Sequence, residues 1–236
     1  MCYNTGISFL FAAVGFLITF YIFLFDKVLN KSGIQYILGF YSIMEVLQGV
    51  QYFYVNQCSN FMNIILTEFA YLLIIVQPLM WNIFFYVNSN ALDKQIFFTA
   101  ICLCIPWIIV NVLARFLYDK NKYPQTKQNS PYAADKVCTK RKLSHLYWEW
   151  TSANFKELNA NFFMYLMVWI VPALISKKFR SVHVVFTAFA LLIAYVAYLT
   201  EELVIFPALW CYVSVPIMLV ILFVINKENT LKILKT

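Results

Sequence analysis

The chain has 236 residues, 62% hydrophobic and 12% charged, with a formal net charge of +7 and a mean hydropathy of +0.71. A soluble domain of this length would carry about twice that charged fraction, so few alternatives to a polytopic membrane protein remain. Long continuous apolar runs point to helices rather than to the short alternating strands of a barrel. The basic residues come without a nucleic-acid motif, so they are assigned to loops and tails that meet lipid head groups, and nucleic acid is not an expected partner.

Residues 1–6 are uncharged, and the apolar run 7–25 lacks the basic flank and small-residue cleavage site of a signal peptide. It is expected to stay as a first helix, followed by Lys27 and Lys31. A second segment, 34–55, carries Tyr41, Glu45, Gln48, Gln51 and Tyr52 inside an apolar run. At about 100° per residue Tyr41, Glu45, Gln48 and Tyr52 share one narrow face, with Gln51 at its edge. A short turn containing Cys58 leads to segment three, 61–87, with Glu68, Tyr71, Gln77, Pro78 and Asn82. Asp93 and Lys94 mark the next loop, and segment four, 96–117, contains Cys102, Cys104, Pro106 and Asn111.

The region 118–158 is polar and basic and forms the one long loop. Segment five follows at 159–176, then Lys177, Lys178 and Arg180. About 20 residues cross a bilayer core, so the run 181–226 is split at Glu201 and Glu202 into two segments. The expected fold is therefore all-α: a single domain over 1–236, a polytopic bundle of seven transmembrane helices. Lysine and arginine divide equally between the two sides, but one side spreads them over every loop and the tail, whereas the other concentrates them at the long loop. That distribution, and lysines only on the C-terminal flank of the first segment, predict the N-terminus outside and the C-terminus inside.

The chemistry-bearing residues centre on segment two. An ionisable side chain at mid-bilayer depth costs roughly 2.5–3.5 kcal/mol on insertion scales, so it faces a bundle interior and finds a partner. Glu45 and Glu68 are about equally far from the turn between their segments, which sets them at similar depth. Two close carboxylates would share a proton or bind a cation. Gln48, Gln51, Tyr41, Tyr52 and Tyr71 could complete a polar pocket, with Gln77 and Asn82 in the same segment as Glu68. The competing reading is protonated glutamates bonded across helices, serving packing alone.

Cys58 and Cys138 both fall on the expected outer side, where an oxidising compartment would allow a disulfide tying the long loop over the bundle mouth. His145, Trp148 and Trp150 lie in an aromatic run that reads as an interfacial lid or short helix, or as a ligand grip. The two histidines are His145 and His183, expected on opposite sides, so neither a metal site nor a multi-histidine intramembrane hydrolase is expected. No cofactor and no catalytic residue is assigned.

The pattern of Tyr41 to Tyr52, Cys58, Ser59 and Asn60, Gln77 with Pro78, Asn82, and Cys138 with His145, Leu146, Tyr147 and Trp148 resembles an uncharacterised seven-helix membrane family of large DNA viruses and microbial eukaryotes. That resemblance implies a seven-helix fold and no activity. Retinal proteins need a Schiff-base lysine in the last helix, and 203–226 contains none. Rhodopsin-like receptors carry an Asp/Glu-Arg-Tyr motif and an Asn-Pro-x-x-Tyr motif, and both are missing. The functional expectation is a multi-pass protein of a plasma membrane or endomembrane, host membranes included, that binds or transports a small solute or cation through the glutamate pocket. The alternatives are a membrane interaction protein acting through its basic loop, and an intramembrane enzyme using Glu45 as acid or base.

Overall fold

The computed structural model describes residues 4–117, 137–142, 145–150 and 162–177, with the isolated positions Ala188, Leu191, Leu192 and Tyr195. Helix predominates among them: α1 (Thr5–Phe25), α2 (Lys27–Ser32), α3 (Ile34–Gln51), α4 (Phe61–Asn88), α5 (Ala91–Leu117) and α6 (Phe162–Ile175). Between α5 and α6 lies an antiparallel hairpin, β1 (Cys138–Lys142) and β2 (His145–Glu149). The predicted sixth and seventh segments, Glu201 and Glu202, His183 and most of the basic loop lie outside the described residues.

The helices start where short polar side chains satisfy first-turn N–H groups. Asn4 Oδ1 accepts from Ile7 N, Asp26 Oδ1 from Leu29 N, Asn60 Oδ1 from Met62 N and Asn90 Oδ1 from Asp93 N, each at 2.9 Å. Asp26 thereby opens α2, a short helix that the sequence reading did not separate from its flanking loop. Gly33, at φ 76°, turns the chain from α2 into α3 in a conformation that a side chain would strain. The second segment was expected to reach residue 55, but α3 ends at Gln51 and residues 52–56 are turns, closing on Asn56 in the left-handed region at φ 63°.

Among the described residues three helices are long and apolar enough to cross a membrane: Thr5–Phe25, Phe61–Asn88 and Ala91–Leu113. Their outer surfaces are apolar, with Leu17 70% and Leu92 77% exposed, while Asn63, Thr67, Gln77, Asn82 and Asn111 are buried. This is the reverse of a water-soluble helix, which turns its polar face outward. Helix α3 is buried along most of its length and is the least apolar of the long helices.

Helix α4 is central, packing on α3, α5 and α6, while α1 packs on α3. A Cβ on Gly15 would strike Ser42 Oγ, and one on Gly49 would sit 3.0 Å from the Phe9 ring, so bare backbone lets α1 and α3 approach closely. The aromatic core joins Tyr41, Trp81, Phe84, Phe85, Phe97, Tyr165 and Trp169.

Polar contacts sort the connections onto two ends. At one end Asn88 Nδ2 donates to the Ser32 carbonyl at 2.8 Å, and Ser176 Oγ donates to Asp93 Oδ2 at 3.0 Å. Asp93 also accepts from Lys177 N at 3.4 Å, tying the start of α5 to the end of α6. At the other end the 52–60 turn meets the hairpin, joined by a disulfide between Cys58 and Cys138.

Candidate functional site

The face of α3 is fixed by its neighbours. Ser42 and Gly49 meet α1 through Gly15 and Phe9, and Met44 meets α4 through Gln77. At about 100° per residue, Tyr41, Glu45 and Gln48 fall between those two directions. They are 8%, 4% and 1% exposed, so the polar stripe read from the sequence is a buried one. Tyr52 lies just beyond the helix end, half-buried, and packs with Val55 against Leu146 of the hairpin.

From α4, Trp81 Nε1 donates to Tyr41 Oη at 3.0 Å and Gln77 Nε2 donates to Met44 Sδ at 2.9 Å. Gln77 Oε1 accepts from the Tyr165 hydroxyl of α6. The structure thus draws Tyr41 and Gln77 into one buried region with Glu45 and adds Trp81 and Tyr165, which sequence reasoning did not single out. Trp81, Tyr165 and Trp169 read as ordinary apolar-run aromatics in the sequence; only the packing shows that they meet.

Glu68 stands apart from that region. The α4 face toward α3 is marked by Ala70, which packs with Leu47, and by Gln77. Glu68 precedes Gln77 by nine positions, about half a turn away around the helix axis, and is half-buried. The argument from equal depth set Glu45 and Glu68 level; it did not consider facing, and the two point from their helices in different directions. Tyr71 sits nearer the Glu68 flank, donating to Asn111 Oδ1 of α5 at 3.2 Å.

Asn82 is fully buried and spans three helices. Its Nδ2 donates to the Pro78 carbonyl in its own helix and to the Val168 carbonyl in α6, both at 2.8 Å, and approaches Cys104 Sγ of α5 at 3.8 Å.

The run around His145 and Trp148 was expected as an interfacial lid or short helix; it forms strand β2 of a hairpin and not a helix. Leu146 and Trp148 are buried and Trp150 is half-buried on one face, in period-two alternation. That alternation was the sequence signal for a strand, masked by the aromatic density of the segment. Trp148 Nε1 donates to Gln51 Oε1 at 3.1 Å, and Gln51 Nε2 donates to Thr139 Oγ1 at 3.1 Å and to the Leu66 carbonyl at 3.0 Å. Gln51 is therefore an anchor of the hairpin. Trp150 Nε1 donates to the Thr67 carbonyl at 3.1 Å, and its ring lies 5.6 Å from that of Tyr71.

Two asparagines take the place of a third strand along β1. Asn63 Oδ1 accepts from Thr139 N at 2.9 Å, and Asn63 Nδ2 donates to the Thr139 carbonyl at 2.9 Å. Asn56 N also donates to that carbonyl, and Asn56 Oδ1 accepts from Arg141 N at 3.0 Å. The Thr67 and Thr139 hydroxyls meet at 2.7 Å. Sequence reasoning missed Asn56, Asn63, Thr67 and Thr139 because their partners lie more than seventy residues away in the chain.

Electrostatics on the hairpin are local. Lys140 Nζ lies 2.7 Å from Glu149, and the hydrogen bond to that carboxylate raises the lysine above its usual range. Burial pushes His145 below the usual histidine value. Among the described residues no group of three or more His, Cys, Asp or Glu side chains is arranged to hold a metal ion.

No curated protein and no solved structure matches the chain. A protein-family model described as a family of unknown function (DUF5765) matches residues 6–230, nearly the whole sequence, and the chain belongs to that family.

Proposed function

We propose that the protein is a multi-pass membrane protein, seven helices with the N-terminus outside, that binds or moves a small solute or cation at a site centred on Glu45. The observation that carries this reading is the burial of an ionisable carboxylate mid-way along α3, at 4% exposure, on a helix packed against α1 and α4, both long and apolar enough to span a bilayer. Holding such a group in hydrocarbon costs roughly 2.5–3.5 kcal/mol, a cost retained most often where the group serves an ion or substrate path. Tyr41 and Gln48 on the same buried face give it polar company.

The hairpin end is assigned to the outer side. A disulfide between Cys58 and Cys138 requires an oxidising compartment, which the exterior or an endomembrane lumen supplies. In this reading the hairpin is a fixed cap on the outer end of the α3–α4 groove. Gln51, its anchor, lies six residues from Glu45, about 9 Å along the helix.

The test is ligand-induced thermal stabilisation of purified protein, screened with a panel of inorganic cations, amines, amino acids and sugars. The expected result is at least one compound that stabilises wild type and fails to stabilise Glu45→Gln. A compound set that leaves wild type unmoved, or stabilises both proteins equally, overturns the reading.

A further inference from the structure

The two ends of the bundle are closed by different kinds of bond. At the hairpin end the closure is covalent: the Cys58–Cys138 disulfide ties the 52–60 turn to β1, and Asn63 and Gln51 hold the same strand through their side chains. Such a cap leaves only by thiol chemistry. At the opposite end Asp93, 4% exposed in the first turn of α5, accepts from Ser176 Oγ at 3.0 Å and from Lys177 N at 3.4 Å, both at the end of α6. The carboxylate is favoured by the N-terminus of α5 and disfavoured by the C-terminus of α6. Its bonds to α6 are charge-assisted, yet they break and re-form without chemistry.

Helix α6 is built to bend beside that clasp. Val168, Pro172 and Ser176 are all buried and follow at intervals of four residues, so they share one face. The Val168 carbonyl is fixed to α4 by Asn82 Nδ2 at 2.8 Å. One turn on, Pro172 has no N–H to return to Val168, which weakens the helix there. One turn further, Ser176 carries the bond to Asp93. Pivot, hinge and latch thus follow in order along one face.

Beyond the hinge Ala173 is fully buried, in the same packed core as Leu38, Tyr41 and Met44 of α3. Tyr41 shares its face of α3 with Glu45. Release of Ser176 therefore loosens the core on the Tyr41 side, from the end away from the hairpin.

Resting on the reading of Glu45 as a solute site, we propose that Asp93 and Ser176 form its gate at the end away from the hairpin. While Asp93 holds Ser176 and Lys177, the approach to Glu45 from that end is shut. When it lets go, the segment of α6 past Pro172 swings outward and the solute passes.

The test is the rate at which Glu45→Cys reacts with a membrane-impermeant thiol reagent added to each face of oriented vesicles. The full chain is used, with its other free cysteines replaced and the disulfide kept. Ser176→Ala and Asp93→Asn should each speed labelling from the face away from the hairpin by about tenfold, the worth of a hydrogen bond to a charged group. Ser176→Thr, which keeps the hydroxyl, should label at the parent rate, and labelling from the hairpin face should not change. Adding Pro172→Ala, which returns the backbone N–H, should slow the Ser176→Ala variant again. If Asp93→Asn fails to insert, the Ser176 pair and Pro172→Ala carry the test. Unchanged labelling from the far face in Ser176→Ala and Asp93→Asn overturns the gate and leaves the Glu45 site standing. Equal acceleration from both faces also overturns it, because the variants then loosen the whole bundle. Absence of labelling in every background overturns the Glu45 site and the gate with it.

Discussion

Asn82 Nδ2 donates to the carbonyl of Val168 at 2.8 Å, and that carbonyl belongs to the residue four positions before Pro172. Proline has no N–H to return to position i−4, so Val168 loses its helical donor, and a side chain from α4 takes over the bond. The same amide reaches Cys104, which makes Asn82 the polar pin of α4, α5 and α6.

This relationship predicts a dependence between two substitutions. Asn82→Ala should cost about 1–3 kcal/mol by leaving a buried carbonyl unsatisfied. In a Pro172→Ala background a backbone N–H returns to Val168, and the same substitution should cost clearly less. A double-mutant cycle on unfolding in mixed micelles checks this. Equal costs in both backgrounds would remove the pin.

The hairpin should behave as a built-in cap. Thr139→Val removes the hydroxyl shared with Thr67 and Gln51, and should lower stability by about 1–3 kcal/mol. Replacing both Cys58 and Cys138 by serine opens a closure of 80 residues, worth about 2–5 kcal/mol in small domains. Hydrogen exchange on β1 and β2 is the readout: both variants should speed exchange there and leave the middle of α4 protected.

Acid should loosen the same element. The folded-state pKa of His145 is lowered by burial, so the unfolded or undocked form binds the proton more readily. Docking is then fully stable above the unfolded histidine pKa, about 6.5, and weakens as pH falls from there toward the lower folded value. Protection of the hairpin should decrease between neutral and mildly acidic pH, and His145→Gln should flatten that dependence. An unchanged slope in His145→Gln would assign the effect elsewhere.

Packing of α1 on α3 gives a fourth prediction. Gly15→Ala forces Ser42 Oγ aside, and should cost about 1–3 kcal/mol as overpacking. Ser42→Ala removes the striking atom and should restore most of the loss, measured by the same micelle unfolding.

Much of the helical frame was legible because long apolar runs bounded by charged or Asn-rich turns leave little choice of element. The buried stripe was legible too: Glu45 and Gln48 in an apolar run have to face inward. What could not be read was direction around a helix across partners. Depth set Glu45 and Glu68 level, but the bearing of α4 on α3 depends on Ala70 meeting Leu47 and Gln77 meeting Met44, which are packing choices. The hairpin was hidden for another reason. Its edge is completed by Asn56 and Asn63, side chains acting as a strand, and no local pattern announces a strand whose neighbour is not one.

The most direct measurement is side-specific thiol labelling at position 45. Cys2, Cys102, Cys104 and Cys211 are replaced, the Cys58–Cys138 disulfide is kept, and Glu45→Cys is exposed to a membrane-impermeant reagent from each face of sealed vesicles. The account predicts labelling from at least one face, slowed by the docked hairpin, and faster from the hairpin side in the Thr139→Val background. Labelling from both faces would identify a site with alternating access. Absence of labelling from either face, in both backgrounds, would contradict a solute site at Glu45 and make the polar stripe a packing device.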